Sequence, residues 1–327
     1  MNLVTGASGH IGNVLVRELI ARGQEVRALV LPGENLRSLA GLPVEIYEGD
    51  VLDPGSLCAA MHGIDVVYHL AGMITILPGF DRRVWRVNVD GTANILAAAR
   101  QCGVRRLVHT SSIHALQRAA DGVLMDENLP FDPRNPVGVY DQSKAEASLA
   151  VLRAVREGLD AVVVCPTGVI GPHDYAGSEM GILILSWLRK GVSLLIDGAY
   201  DFVDVRDVAR GMILAAEKGQ PGQVYILSGE QVRLPKLQQM VREIAGIPAR
   251  MLKIPARLAL FLASFTPLYY RLAGAKPRFT RYSVVTVMGN STISSARARR
   301  ELGYQPRALR ESLADTVGWW RDHLASR

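Results

Sequence analysis

The sequence predicts an α/β fold in which helices cover both faces of a parallel β-sheet. Short apolar runs alternate with helical patterns through the first half of the chain, and this alternation is typical of parallel sheets. Runs such as 65–70 and 161–165 are almost continuously apolar, as expected of strands buried on both faces. The first run leads directly into a glycine-rich turn and a helix.

The period of the apolar residues predicts the individual elements. Predicted strands occupy residues 2–5, 25–31, 43–48, 64–69, 105–110 and 160–165. Predicted helices lie near 10–22, 54–61, 82–102 and 138–157. After about residue 166 the pattern loosens into a loop rich in glycine and proline, followed by helices near 179–190 and 204–218, a strand at 223–227 and further helices.

This change of pattern predicts two interleaved parts. Residues 1–166 form the core, and residues 167–327 form a smaller, mostly helical region that re-enters the core near 201–228. We expect this second part to bind the substrate, because it caps the carboxyl edge of the sheet, where ligands bind in open α/β folds.

Composition is typical of a globular enzyme. Of the 327 residues, 49% are hydrophobic and 21% are charged, so we expect the chain to fold throughout. The formal charge is +6, but the basic residues are mostly scattered, so we expect no nucleic-acid binding. Cys58, Cys102 and Cys165 form no Cys-x-x-Cys pair, so neither a disulfide framework nor a metal site is expected.

Targeting signals are not evident in the sequence. A strand begins almost at Met1, which leaves no room for a signal peptide, and no apolar run reaches the ~18 residues of a membrane helix. We therefore expect a cytoplasmic protein without a transmembrane segment. The apolar stretch 258–272, interrupted by Pro267, is compatible with a pocket lid, a core or dimer helix, or a membrane-surface contact, so a homodimer also stays open.

The first strand ends in a turn with the spacing Gly-x-x-Gly-x-x-Gly, formed by Gly6, Gly9 and Gly12. The first glycine permits a tight turn, the second lets the backbone approach a pyrophosphate, and the third packs the helix against the strand. The following helix directs its positive end towards the phosphates. The turn therefore predicts a dinucleotide cofactor.

These features resemble the extended short-chain dehydrogenase/reductase family within the NAD-dependent epimerase/dehydratase superfamily, whose turn is Thr-Gly-x-x-Gly-x-x-Gly. The similarity covers nearly the whole chain and implies a Rossmann-type doubly wound sheet and an NAD(P)-dependent oxidoreductase. Further motifs follow in the family's order: Gly49-Asp50-Val51, His69-Leu70-Ala71-Gly72, Asn88-Val89-Asp90-Gly91-Thr92, Thr110-Ser111-Ser112, Tyr140-Asp141-Gln142-Ser143-Lys144, Pro166 to Pro172 and Asp201 to Val205.

The resemblance implies which residues bind the cofactor. Asp50 and Val51 would hold the adenine, with a helix N-cap or turn as the alternative role of Asp50. Ala71 and Gly72 would line the ribose-phosphate side, and Pro166 to Val169 would border the nicotinamide. The full predicted set is Gly6, Ser8, Gly9, His10, Ile11, Gly12, Leu31, Asp50, Val51, Leu70, Ala71, Gly72, Asn88, Thr110, Tyr140, Lys144, Pro166, Thr167, Gly168 and Val169.

The choice between NAD and NADP depends on the end of the second strand. An acid there binds the ribose 2′-hydroxyl of NAD, and an arginine binds the 2′-phosphate of NADP. By similarity to the family, Val30 stands where NAD enzymes often have Asp, and Leu31 where NADP enzymes often have Arg. Arg37 is better explained as a surface residue. We favour NAD.

Tyr140 and Lys144 lie four residues apart in a predicted helix, so their side chains share one face. A neighbouring cation favours the phenolate form of a tyrosine, whose ordinary pKa is about 10. Ser112 follows the strand that ends at residue 110 and can stabilise charge on a reacting oxygen. We predict Tyr140, Lys144 and Ser112 as the catalytic group; the family's pattern favours Ser112 over Ser111, and His114 is assigned to the pocket rim or a structural role.

The predicted substrate is a mostly apolar small molecule that carries a ketone or secondary alcohol. Sugar-nucleotide enzymes of the family usually have an arginine where this chain has Tyr200, and dehydratases usually place acids where Ile113 and His114 stand. The C-terminal pattern resembles dihydroflavonol reductases and 3β-hydroxysteroid dehydrogenases. We predict contacts of the substrate with Ser112, His114 and Tyr200. The alternatives are a nucleotide-sugar epimerase and a non-catalytic dinucleotide sensor.

Overall fold

A computed structural model describes residues 1–189, 191–266, 270 and 279–325. Its centre is a seven-stranded parallel sheet with the order β3-β2-β1-β4-β5-β6-β10. The strands are β1 (Asn2–Thr5), β2 (Val26–Val30), β3 (Glu45–Glu48), β4 (Val66–His69), β5 (Arg106–Thr110), β6 (Ala161–Pro166) and β10 (Val224–Leu227). The chain reverses direction across the sheet between β1 and β4, which is where α/β folds bind their ligands.

The described residues form helices, some of which cover both faces of this sheet. They are α1 (His10–Ala21), α2 (Pro54–Ala60), α3 (Arg82–Trp85), α4 (Gly91–Gln101), α5 (Val139–Arg156), α6 (Glu179–Leu188), α7 (Val205–Lys218), α8 (Leu234–Ile244), α9 (Ala256–Ala263), α10 (Arg281–Met288), α11 (Ala296–Leu302) and α12 (Leu309–Ala325). Apolar residues of α2, α4 and α5 form the core on one face, and those of α1, α7 and α11 form the core on the other. The predicted Rossmann-type doubly wound fold is confirmed.

Five short strands lie in the region where the sequence predicts mostly helices. They are β7 (Gly168–Ile170), β8 (Ser193–Ile196), β9 (Ala199–Asp204), β11 (Glu230–Arg233) and β12 (Met251–Ile254). They form a three-stranded sheet, β11-β9-β7, and a two-stranded sheet, β12-β8. The prediction of a mostly helical region is incomplete here, because these strands are short and pair with distant segments, so their own residues show little period-two alternation.

The single helix predicted at 82–102 is also interrupted. It consists of α3, one π-helical turn at Arg86–Asp90, and α4. The Asp81 side chain begins α3 by accepting hydrogen bonds from the backbone of Arg83 and Val84. Apolar periodicity does not detect a π-turn, since one extra residue per turn hardly changes the pattern.

The region after β6 builds its own apolar clusters and also returns to the central sheet. Helices α6, α8 and α12 pack together with β9, while α9 and α10 pack on β8. The chain then adds β10 to the edge of the central sheet beside β6. The division into two parts at residue 166 stays a prediction.

The apolar stretch 258–272 is partly described. Residues up to 263 belong to α9, whereas 267–269 and 271–272 lie outside the described residues. Within the described ranges, no helix combines the length and the apolar character needed to span a bilayer. The same ranges contain no group of three or more His, Cys, Asp or Glu side chains placed to bind a metal ion.

Candidate active site

The glycine turn joins β1 to α1 with the geometry that a phosphate-binding turn requires. Gly6 has a φ of 67°, and a Cβ there would lie 2.8 Å from the backbone nitrogen of Ala71. A Cβ on Gly12 would lie 2.1 Å from the Gly6 carbonyl oxygen. Both positions therefore require glycine for packing alone.

Gly9 differs from its two neighbours in the turn. Its φ of −67° suits any residue, and a Cβ would lie 3.3 Å from the Gly6 oxygen, which is tight contact rather than overlap. Gly9 is the N-cap of α1, and among the described residues no side chain caps the first N–H groups of that helix. Those donors are thus available to an anion, so the turn fits a pyrophosphate.

His10 and Asn13 attach the start of α1 to the loop after β7. The Nε2 atom of His10 lies 3.0 Å from the Pro172 carbonyl oxygen. The Asn13 amide donates to the carbonyls of Gly9 and His173 at 2.8 and 3.1 Å. The ring of His10, predicted to contact the cofactor, therefore also holds this loop.

An acidic side chain lies at the end of β2. A turn through Gly33, with a φ of 72°, brings Glu34 back over Leu31. The Glu34 carboxylate accepts a hydrogen bond from the backbone of Leu31 at 2.9 Å and another from the Ser8 hydroxyl. Alignment at Val30 and Leu31 missed this residue; the Pro-Gly pair before it was the signal that could have found it.

The motif after β3 has a structural role of its own. The Asp50 carboxylate accepts from the backbone of Leu52 at 2.9 Å, which is an Asx-turn. Val51 is buried, and its carbonyl accepts from the Asn94 amide at 3.0 Å. Asp50 therefore acts as a turn residue, which was its alternative role, and its contact with adenine stays a prediction.

The segment after β4 is held by buried polar groups. The Thr5 hydroxyl accepts hydrogen bonds from the backbone of Leu70 and Ala71 at 3.2 and 3.0 Å. Asn88, in the π-turn, exchanges hydrogen bonds with the backbone of Met73 and donates to the Ser143 hydroxyl at 2.9 Å. Asn88 thus positions this segment against α5.

Gly72 keeps the space beside Lys144 open. A Cβ on Gly72 would lie 3.1 Å from the Asn88 amide oxygen and 3.3 Å from the Lys144 ammonium nitrogen. A side chain at this position would crowd the ammonium, so the predicted importance of Gly72 has a steric basis.

The predicted catalytic residues meet at the carboxyl end of β5. Tyr140 and Lys144 occupy the first turns of α5, and the Lys144 ammonium donates to the Thr110 carbonyl at 2.8 Å. Ser112 follows the strand, its hydroxyl accepts a hydrogen bond from the His114 backbone at 3.2 Å, and it lies close enough to Tyr140 to act on the pKa of its hydroxyl. The Ser111 hydroxyl instead accepts from Ser148 at 2.7 Å, so the geometry favours Ser112 as the residue that faces the site.

Burial dominates the electrostatics of this group. It raises the pKa of Tyr140 to about 12, and the hydrogen bond with Ser112 opposes the rise. It lowers the pKa of Lys144 to about 8. In the chain alone, burial therefore outweighs the neighbouring cation: at neutral pH the phenol keeps its proton while most Lys144 ammonium groups stay charged.

The loop after β6 is fixed by a buried acid. Asp201 accepts hydrogen bonds from the Thr167 hydroxyl at 2.6 Å and from the backbone of Gly229 at 2.9 Å. A Cβ on Gly168 would lie 2.7 Å from the Tyr200 ring. The segment predicted to border the nicotinamide, Pro166 to Val169, is thereby packed directly against Tyr200.

A cavity of about 340 Å³ begins at Ile113 and His114, the two residues that follow Ser112. Tyr200 and His114 line it with stacked rings, and the Tyr200 oxygen lies 2.7 Å from the His114 Nε2 atom. Burial lowers the pKa of His114 to about 4, so its ring is neutral at pH 7. The other lining residues are Ile113, Leu116, Arg118, Ala119, Ala120, Asp121, Met125, Thr286, Gly289, Asn290 and Ile293.

A second pair adjoins this cavity and was missed by the sequence interpretation. The Tyr282 hydroxyl of α10 donates to the Asp141 carboxylate at 2.6 Å, and its ring lies 6.0 Å from that of His114. The pair joins α10 to the residue that follows Tyr140. Only tertiary structure brings these residues together, since 141 positions separate them in the chain.

Comparisons with known proteins agree with these features. A model of the NAD dependent epimerase/dehydratase family matches residues 2–228. Sterol demethylase protein B of Methylococcus capsulatus is 37% identical over 98% of both chains. A putative dihydroflavonol 4-reductase of Synechocystis is 33% identical over 98% of this chain and 94% of its own length.

Two further matches extend the comparison. A 3β-hydroxysteroid dehydrogenase/Δ5→4-isomerase of Mycobacterium tuberculosis is 30% identical over 93% of this chain and 85% of its own length. The crystal structure of a nucleoside-diphosphate-sugar epimerase from Pseudomonas aeruginosa superposes with a TM-score of 0.81 at 24% identity, covering 98% of this chain and 97% of that one. At that identity the likeness is one of fold.

We expect Gly9→Val to weaken dinucleotide binding at least about tenfold with little loss of stability, because the side chain blocks the approach to free N–H groups without straining φ. Gly12→Val is the matched control: its side chain overlaps the Gly6 oxygen, so it should lower the melting temperature instead. Titration calorimetry and thermal unfolding measure the two effects. Unchanged affinity in a folded Gly9→Val protein would place the cofactor elsewhere.

Proposed function

The chain belongs to the NAD-dependent epimerase/dehydratase family, and we propose that it interconverts a secondary alcohol and a ketone on a mostly apolar small molecule. Its relatives confirm an NAD(P)-dependent oxidoreductase of the extended short-chain dehydrogenase/reductase type. The observation that carries the proposal is the meeting of Tyr140, Ser112 and Lys144 at the end of β5, beside a cavity lined largely by apolar and neutral side chains.

In this proposal Tyr140 moves the proton of the reaction. Hydride chemistry would come from a nicotinamide ring bound beside these residues, to the carbonyl carbon in reduction and from the carbinol carbon in oxidation. The protonated Tyr140 hydroxyl donates to the ketone oxygen during reduction and recovers the proton during oxidation. The Ser112 hydroxyl hydrogen-bonds the same oxygen and stabilises charge that develops there.

Lys144 supports this step in two ways. One of its three N–H groups is used by the Thr110 carbonyl, which leaves two donors for the hydroxyls of a nicotinamide ribose. Its positive charge also offsets the negative charge left on the Tyr140 oxygen after proton donation. Both roles require the ammonium form.

The lining of the cavity supports a neutral, apolar substrate. Tyr200 takes the place of the arginine expected in sugar-nucleotide enzymes, and its partner His114 carries no charge at pH 7. The names of three relatives refer to sterols, dihydroflavonols and hydroxysteroids. A polycyclic alcohol or ketone of that kind fits these observations.

Glu34 supports NAD as the preferred cofactor. Its carboxylate is held at the end of β2 by Ser8 and Leu31, where an acid can accept a hydrogen bond from the ribose 2′-hydroxyl. The same charge repels the 2′-phosphate of NADP.

Net turnover of the cofactor distinguishes the proposed oxidoreductase from the alternative, a nucleotide-sugar epimerase. An epimerase reoxidises its cofactor within each cycle, so it shows no net absorbance change at 340 nm, the wavelength at which reduced nicotinamides absorb. A spectrophotometric screen of ketones and secondary alcohols with each cofactor tests the proposal directly.

We expect Tyr140→Phe to lower kcat by about 10²-fold or more while the affinity for NAD stays nearly unchanged, because the variant loses the transferable proton but keeps the ring. Steady-state kinetics and calorimetric titration measure both quantities. Tyr47→Phe, on the distant strand β3, is the control and should behave as wild type. A Tyr140→Phe enzyme with more than about a tenth of the wild-type kcat would remove Tyr140 from this role.

We expect Glu34→Gln to reduce the preference for NAD over NADP about tenfold or more, because the amide no longer repels a 2′-phosphate. The measurement is the ratio of kcat/KM for the two cofactors. Glu25→Gln removes an exposed carboxylate at the opposite end of β2 and should leave the ratio unchanged. A ratio that also stays constant in Glu34→Gln would contradict the assignment.

We expect steroid- or flavonoid-like ketones, but not uridine diphosphate, to raise the melting temperature of the cofactor-loaded enzyme. A missing arginine removes a charge-assisted contact worth roughly 1.5–3 kcal/mol to a diphosphate. Arg118 lines the cavity and is exposed. The measurement with uridine diphosphate therefore tests whether Arg118 takes over the role of the missing arginine. A clear shift with uridine diphosphate and none with any ketone would favour the epimerase.

A further inference from the structure

Helix α9 directs its large apolar side chains outward. Leu258, Phe261 and Leu262 of α9, and Phe265 two residues beyond its end, follow the spacing i, i+3, i+4, i+7 and are between 44% and 62% exposed. The side that packs on the protein carries Ala259 and Ala263, which are 0% and 1% exposed. A helix that only packs on a core shows the reverse arrangement, so the outer side of α9 has an apolar surface that the described fold does not use.

Two exposed leucines extend this surface. Leu194 on β8 and Leu252 on β12 are register partners and are 64% and 59% exposed. Ile196 lies two residues beyond Leu194, hence on the same face of the sheet, and it packs with the α9 alanines. The leucines therefore adjoin α9. We call these six residues, Leu258, Phe261, Leu262, Phe265, Leu194 and Leu252, the apolar face.

The segment that carries most of the apolar face is strongly basic. Between Glu243 and Glu301 the sequence contains ten Lys or Arg and no Asp or Glu. The rest of the chain has 27 basic and 31 acidic residues, so the whole positive excess of the protein belongs to this segment. Such a distribution predicts attraction to an anionic surface.

Exposed cations border the apolar face in the described structure. Arg250 and Arg257 flank β12 and begin α9, and both are exposed. Lys253 lies between them and shares the Asp197 carboxylate with Arg233. Among the described residues, the acid that contacts these cations is Asp197, and its charge is already balanced by Arg233 and Lys253.

We propose that the apolar face binds the surface of an anionic lipid bilayer. Its leucine and phenylalanine side chains enter the boundary between headgroups and acyl chains, and Arg250 and Arg257 meet lipid phosphates. Pairing of two copies through the same face would bring the exposed Arg250 and Arg257 of one copy close to those of the other, which is repulsive. Charge therefore favours lipid over self-association.

The apolar face is one helix away from the candidate active site. Val284 of α10 packs on α9, whereas Tyr282 bonds Asp141 and Thr286 lines the cavity. Each is two residues, about 200°, from Val284 around the helix, so α10 separates the cavity from α9. If the proposed function holds, docking brings the site close to a phase that dissolves apolar substrates; the docking itself does not depend on that function.

Sedimentation of the full chain with lipid vesicles tests the proposal. We expect binding to vesicles of phosphatidylcholine with phosphatidylglycerol, much weaker binding to phosphatidylcholine alone, and release at high salt. The double variants Phe261→Glu/Phe265→Glu and Arg250→Gln/Arg257→Gln should each lose about tenfold or more in vesicle affinity. Ile46→Glu, an exposed apolar residue on β3, is the control and should bind as wild type.

Melting temperature and NAD affinity show whether each variant is folded. The arginine variants change only exposed side chains, so they test the proposal even if the phenylalanine variants fail to fold. Failure of wild type to bind anionic vesicles, or equal binding to both lipid compositions, would overturn it. So would a dimer in sedimentation velocity that Phe261→Glu/Phe265→Glu converts to a monomer while vesicle binding persists, since the face would then be an interface between copies.

Discussion

The hydrogen bond from the Lys144 ammonium to the Thr110 carbonyl is the contact on which the candidate site depends. It joins the first turns of α5 to the end of β5 and so sets Tyr140 beside Ser112. A buried cation is costly without partners, and burial accordingly lowers the pKa of Lys144 to about 8. The sheet edge provides a fixed carbonyl, and Gly72 provides the space, so that the cation is kept where the reaction needs it.

The surroundings of this contact come from segments far apart in sequence, each fixed by a buried polar group. Thr5 and Asn88 hold the chain after β4, and Asp201 holds the chain after β6. Such groups are stable when buried because their hydrogen-bonding capacity is met. The loops that surround the site are therefore tied by hydrogen bonds to the carboxyl edge, which favours preorganised hydrogen bonding over induced assembly.

The sequence predicted the central sheet well because its signals are local. Each of its seven strands lies within two residues of the predicted ends, since a buried parallel strand is apolar along its own length. The glycine turn is local too, as Gly6 and Gly12 show. Pairing information is not local: β8 and β12 come together across more than fifty residues, and Tyr282 reaches Asp141 only through the packing of α10. The sequence did not indicate that Glu34 lies at the end of β2, because its position depends on how the turn before it folds back.

If Tyr140 moves the proton as proposed, the pKa values of the site explain how one tyrosine serves both directions of the reaction. Burial holds the pKa of Tyr140 near 12, so in a neutral surrounding the phenol keeps its proton, as the donor to a ketone must. A positive charge brought within about 4–6 Å favours the phenolate, and the oxidised nicotinamide ring carries such a charge while the reduced ring does not. With Lys144 fixed at Thr110, the charge of a bound nicotinamide ring would be the one that changes between the two directions. The Tyr140 hydroxyl would then act as an acid in reduction and as a base in oxidation.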